Sequence, residues 1–108
     1  NTGACLSPQN AFYNILGMET LGIRMERVCS NAMTLAKYLN DNYGNLSVNY
    51  PGLENSEFYN IAKKELNNGF GGIITIRTGS KEKAFKFINA LQIPLNVSNI
   101  GDTKTLEQ

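Results

Sequence analysis

Apolar positions along this chain recur with two different periods, and the places where the period changes mark its elements. Ala11, Phe12, Ile15 and Leu16 follow Ser7-Pro8 at helical spacing. The Ser hydroxyl can accept an orphan N–H of the first turn and Pro has no N–H to satisfy, so a helix is predicted over residues 8–17. Gly17 and Gly22 bracket a weak stretch around Met18 and Leu21, where a break is expected. From Ile23 the stripe resumes with Met25, Val28, Cys29, Ala32, Leu35, Ala36 and Leu39, while Arg24, Arg27, Asn31, Thr34 and Asp41 lie opposite. This longest helix is expected to end in Asn40-Asp41-Asn42-Tyr43-Gly44, residues that favour turns and left-handed caps.

The period then shortens. Leu46, Val48 and Tyr50 alternate with Ser47 and Asn49, as a half-buried strand requires, and Pro51-Gly52 stops the run. Ser56 is placed to cap a helix carrying Phe58, Ile61, Ala62 and Leu66 on one side, with Lys63 and Lys64 on a solvated face. Gly69-Phe70-Gly71-Gly72 leads into Ile73-Ile74-Thr75-Ile76-Arg77-Thr78, whose β-branched residues suit a central strand. Ser80 caps a last helix expected to bury Ala84, Phe85, Ile88 and Leu91, and Pro94 ends it before an extended stretch over residues 95–99. The order α-α-β-α-β-α-β predicts an α+β fold, a small sheet with helices on one face. No internal repeat or low-complexity segment interrupts it.

Length and composition narrow this little further. A chain of 108 residues suits a single domain, and 42% hydrophobic with 18% charged residues is ordinary for a packed one. A net charge of +1 gives no field for nucleic acid or an anionic membrane, and no apolar run approaches the roughly 20 residues of a membrane helix. A soluble, cytoplasmic protein is expected. Two cysteines make no disulfide framework, and Cys5 and Cys29 are expected as small buried side chains. The sequons at Asn45 and Asn96 are discounted, because so short a pattern arises by chance. Both ends read as cut: Asn1 stands where an initiator Met is usual, and the last residues follow an extended segment without closure.

Self-contained chemistry is scarce. The chain has no His, which removes the commonest general acid/base, the usual catalytic triad and the usual zinc sites together. No carboxylates cluster at a metal-ligand spacing. The glycines of residues 69–72 invite a phosphate loop, but such loops follow a strand and open a helix, whereas this run follows a helix and opens a strand. A turn with unusual backbone angles is the better expectation. Asn99-Ile100-Gly101-Asp102-Thr103 is polar and flexible enough to line a cleft, although a plain loop is the commoner outcome for such a segment.

Several separated motifs stand in one order: Gly3-Ala4-Cys5-Leu6-Ser7-Pro8-Gln9-Asn10-Ala11-Phe12, Gly17-Met18-Glu19-Thr20-Leu21, Arg24-Met25-Glu26-Arg27, Asn49-Tyr50-Pro51-Gly52-Leu53, Gly69-Phe70-Gly71 and Asn99-Ile100-Gly101-Asp102-Thr103-Lys104-Thr105-Leu106. Over nearly its whole length the chain resembles the C-terminal small domain of the Cys/Met-metabolism enzymes that use pyridoxal phosphate. Asn99 in its Asn-x-Gly-Asp context most resembles the O-acetylhomoserine thiol-lyases, the related lyases more often having serine there. The resemblance implies a fold-type I enzyme, commonly tetrameric, with pyridoxal phosphate as electron sink. It implies replacement of acetate by sulfide or methanethiol, giving homocysteine or methionine.

It also implies that the cofactor lysine, phosphate loop and ring stacker lie upstream of this chain, and that the arginine for the substrate carboxylate follows the position of Leu106. Glu107-Gln108 departs from the apolar continuation usual in the family. None of Lys37, Lys63, Lys64, Lys81, Lys83, Lys86 and Lys104 matches the cofactor lysine, so no catalytic or cofactor-binding residue is expected here. Ser98 and Asn99 alone carry over, as neighbours of the substrate carboxylate. The expected role is thus an inactive single-domain piece of an enzyme, from residue 1 to residue 108, prone to self-association through uncovered apolar surface. Related cystathionine synthases and lyases and methionine γ-lyase are alternatives within the family. A freestanding small-molecule-binding or assembly module is the alternative from another class.

Overall fold

In a computed structural model of the chain, the described residues are 3, 5–44 and 46–107, with the side chain of Glu107 excepted. Helix α1 spans Pro8–Met18 and α2 spans Leu21–Asn42. Ser7 caps α1 as expected, its Oγ accepting from the Asn10 N–H at 3.2 Å. The break falls at Glu19 and Thr20, and α2 begins two residues earlier than its apolar stripe suggests. Thr20 does not cap α2 through its side chain; its hydroxyl accepts from Arg24 Nε at 3.1 Å instead.

Strand β1, Ser47–Asn49, pairs antiparallel with β2, Thr75–Arg77, placing Val48 opposite Ile76. Both strands are shorter than the runs that predict them. Among the described residues β2 has β1 as its one partner, so it is not a central strand. Three successive turns fold residues 50–59 back, through the N–H groups of Leu53, Ser56 and Tyr59. Helix α3, Tyr59–Glu65, follows with Phe58 at its N-cap position. Ser56 instead accepts from the Phe58 N–H and stabilises the preceding turn. Ser80 caps α4, Lys81–Ala90, by accepting from the Lys83 N–H. Two two-residue strands, β3 at Leu95–Asn96 and β4 at Leu106–Glu107, pair in parallel. The α+β class holds.

The core is small. Ala32 and Ala36 of α2 meet Tyr50 and Leu53, with Met33, Val48, Phe70 and Ile74 packed around them. Tyr50 is wholly buried, and its hydroxyl donates to the Gly71 carbonyl at 2.9 Å. Burial pushes its phenol above the usual tyrosine value, with the Cys29 thiol adding to the shift, so the donor form is the stable one. Phe70 lies edge-on to Tyr50 and stacks on Tyr59. Gly52 is buried, and a Cβ there would meet Met33, Tyr50 and Phe70 at 2.6 to 2.8 Å.

Several apolar residues lie outside this core. Leu35 is exposed on α2, Phe58, Ile61 and Leu66 are exposed around α3, and Phe85 is exposed on α4 beneath the Lys81 ammonium. No residue of helix α1 is fully buried. Cys5 is exposed, whereas Cys29 is half-buried against Gly69. The sequon at Asn45 lies outside the described residues, as does Gln108.

Candidate functional site

The glycine-rich lead-in to β2 resolves into a packing device. Gly69 has φ +141° and would press any Cβ onto Cys29, while Gly72 lies so close to Val28 that no side chain fits. Gly71 also has positive φ, at +82°, in open space. These backbone angles and approaches are open to glycine and costly to other residues. They lay residues 69–72 flat on α2 and aim the Gly71 carbonyl at the Tyr50 hydroxyl. The glycines of this run thus serve close packing and one hydrogen bond to Tyr50. Beside it, an open cleft of about 400 Å³ is lined by Met25, Cys29, Leu66 and Phe70 among others, without convergent charged groups.

The polar loop lies elsewhere, in the excursion between β3 and β4. Asn99 Nδ2 donates to Asp102 Oδ2 at 3.2 Å, and Asn99 Oδ1 accepts from the Ile100 N–H at 2.8 Å. Asp102 Oδ1 accepts from both the N–H and the hydroxyl of Thr103. Hydrogen bonds from the Thr103 backbone, then from its hydroxyl, hold the Asp102 carboxyl below the usual aspartate value, and Lys104 adds to this. Gly101 has φ +78°, the left-handed angle that closes the turn.

Ser98 and Asn99 are thus adjacent, exposed and at the start of a self-bonded loop. Among the described residues Ser98 has no hydrogen-bond partner, and both side chains are open to solvent. What the sequence reading missed is the tie that fixes this loop. Half-buried Arg24 donates from Nη1 to the Gly101 carbonyl at 2.9 Å, from Nη2 to the Gly17 carbonyl at 2.7 Å and from Nε to Thr20. The loop contact spans 77 residues of sequence, and no local pattern signals a partner so distant.

These residues also test where pyridoxal phosphate fits. A lysine that forms a Schiff base is lowered in pKa by burial or by a neighbouring cation. All seven lysines here are exposed, Lys63 over the Tyr59 ring and Lys81 over the Phe85 ring. The glycine run is spent on α2, and the loop at residues 99–103 is built around a carboxylate that repels phosphate. The described residues do not form a cofactor site. Among them no three potential ligands gather for a metal, and no helix is long and apolar enough to cross a membrane.

Fold and loop together define an α+β segment that carries a polar edge on a helical scaffold. By a family match spanning residues 1–108, the chain belongs to the Cys/Met metabolism PLP-dependent enzymes. It is 43% identical over 108 residues to an L-methionine gamma-lyase of Fusobacterium nucleatum, covering 99% of this chain and 27% of that protein. The O-acetylhomoserine sulfhydrylase structure of Wolinella succinogenes superposes with a TM-score of 0.82 at 41% identity, over 94% of this chain and 30% of that one. A putative O-acetylhomoserine (thiol)-lyase of Campylobacter jejuni, solved with a pyridoxyl-lysine phosphate, gives 0.84 at 34% identity, over 98% and 26%. The chain therefore spans little more than a quarter of the length of the relatives it matches.

Proposed function

We propose that this chain is the C-terminal small domain of a fold-type I O-acetylhomoserine thiol-lyase, which replaces acetate by sulfide or methanethiol to give homocysteine or methionine. Pyridoxal phosphate, held by parts of the enzyme outside this chain, supplies the electron sink for that exchange. The share of this chain is the edge of the substrate site. There the Ser98 hydroxyl, free among the described residues, and the outer face of the Asn99 amide offer donors to the substrate carboxylate.

The observation that carries this reading is the Asn99-Ile100-Gly101-Asp102 loop itself. Its amide is held by Asp102 and Ile100 in an exposed position rather than buried for packing. The whole enzyme is proposed to act in the cytoplasm as a homo-oligomer, and the chain alone to be inactive. Similarity to an L-methionine gamma-lyase makes one competing reading specific.

Assaying the full-length protein separates the two. O-acetylhomoserine with sulfide is expected to yield homocysteine, while L-methionine is expected to release little methanethiol; the opposite preference rejects the thiol-lyase assignment. For the isolated chain, borohydride reduction with pyridoxal phosphate is expected to label no single lysine. Specific labelling accompanied by turnover defeats the claim that the chain depends on the rest of the enzyme.

A further inference from the structure

We propose that Arg24 is a positioning residue for the substrate edge, its guanidinium coupling the α1–α2 elbow to the loop that presents Asn99. This rests on the assignment of Ser98 and Asn99 to that edge. The three acceptors of the guanidinium come from three separate places: the last turn of α1 at Gly17, the break at Thr20, and the loop at Gly101. A planar fork with five fixed donors can serve three diverging oxygens at once, which a lysine ammonium on its flexible stem cannot reproduce.

The loop end of the tie is equally specific. Gly101 holds φ +78°, so its carbonyl faces Arg24 from a conformation that a side chain disfavours. Inside the loop, Asn99, Ile100, Asp102 and Thr103 are bonded to one another, so the loop shifts as a unit. Where Arg24 holds Gly101 therefore decides where the Asn99 amide lies. Arg24 itself need not touch substrate, because each of its three nitrogens already holds one backbone or side-chain oxygen of the chain.

The test uses steady-state kinetics of the full-length holoenzyme with O-acetylhomoserine and sulfide. Arg24→Ala is expected to raise KM for O-acetylhomoserine about tenfold, roughly 1.4 kcal/mol, with kcat and the KM for sulfide little changed. Arg24→Lys is expected to fall between. Asn99→Ala is expected to have a similar effect, and the double variant to be no worse than Asn99→Ala alone, because the two act through one contact. Multiplying effects in the double variant, or an equal loss on both substrates as from general loosening, overturns the proposal.

If Arg24→Ala fails to fold, Gly101→Ala keeps the carbonyl but disfavours the φ of +78° that presents it to Arg24, so it weakens the same tie from the loop side and enters the same cycle with Asn99→Ala. An unchanged KM in that variant is equally fatal. A wild-type enzyme that processes L-methionine instead refutes the thiol-lyase assignment alone, and the same comparison in KM for L-methionine then decides the role of Arg24. A wild type that turns over neither substrate sinks both.

Discussion

Gly52 and Gly22 are the same residue type in opposite situations. A Cβ at Gly52 would reach Met33, Tyr50 and Phe70 within 2.8 Å, inside the one buried cluster, whereas Gly22 in the first turn of α2 has nothing within 4 Å. Overpacking a core costs about 1–3 kcal/mol, while replacing a helical glycine by alanine at an unstrained site gains about 0.5–1 kcal/mol. Gly52→Ala is therefore expected to lower the thermal midpoint of the full-length protein by several degrees, and Gly22→Ala to hold or raise it. Calorimetric scans of both variants check this, and a neutral Gly52→Ala would mean that the cluster around Tyr50 is loosely packed.

At the scale of elements, what was legible is what is decided locally. Ser7 and Ser80 cap their helices because the cap hydroxyl needs only the N–H three residues on. Ser56 has the same chemistry but is drawn into a turn by the Phe58 N–H, so α3 starts two residues later than its hydroxyl suggests. The stripe on α2 locates Ala32 and Ala36 but overextends to Leu35, because β1 covers a narrower face than the stripe offers. The Asn99 loop was visible as polar and Gly-containing, yet its attachment to Arg24 was not, since a contact across 77 residues leaves no periodic trace.

The loop carries its own pH dependence. Asp102 is held below the usual aspartate value by the hydrogen bonds from Thr103, so the ordered loop favours the carboxylate. Its stabilisation is complete above the unfolded aspartate pKa of about 3.9 and is lost as pH falls through the lower folded value. The Thr103 amide resonance is expected to titrate with a midpoint below about 4, and Asp102→Asn to abolish that titration. A midpoint above the ordinary aspartate value would show that the Thr103 bonds do not form in solution.

Over the whole molecule, the chain is larger than its own core can explain. Its radius of gyration is 17.2 Å, against about 13 Å for a compact chain of this length. Its accessible surface is 8924 Å², against about 6,000 Å² for a compact monomer of this mass. The difference, roughly 3,000 Å² on this one chain, is surface that a compact monomer of this mass would not expose. Its apolar share is conspicuous on α1, where Phe12, Tyr13, Ile15 and Met18 are each more than half exposed, and near the loop, where Ile93 and Ile100 are 83% and 75% exposed. The helical spacing that predicts α1 is a real amphipathic signal whose partner is absent among the described residues of this chain. Isolated, the chain is expected to self-associate through these faces, with sedimentation showing dimers or larger species that grow with concentration. Replacing Phe12 and Ile15 by Ser is expected to shift that equilibrium toward monomer. An isolated chain that stays strictly monomeric at high concentration would mean that these faces are tolerated in water.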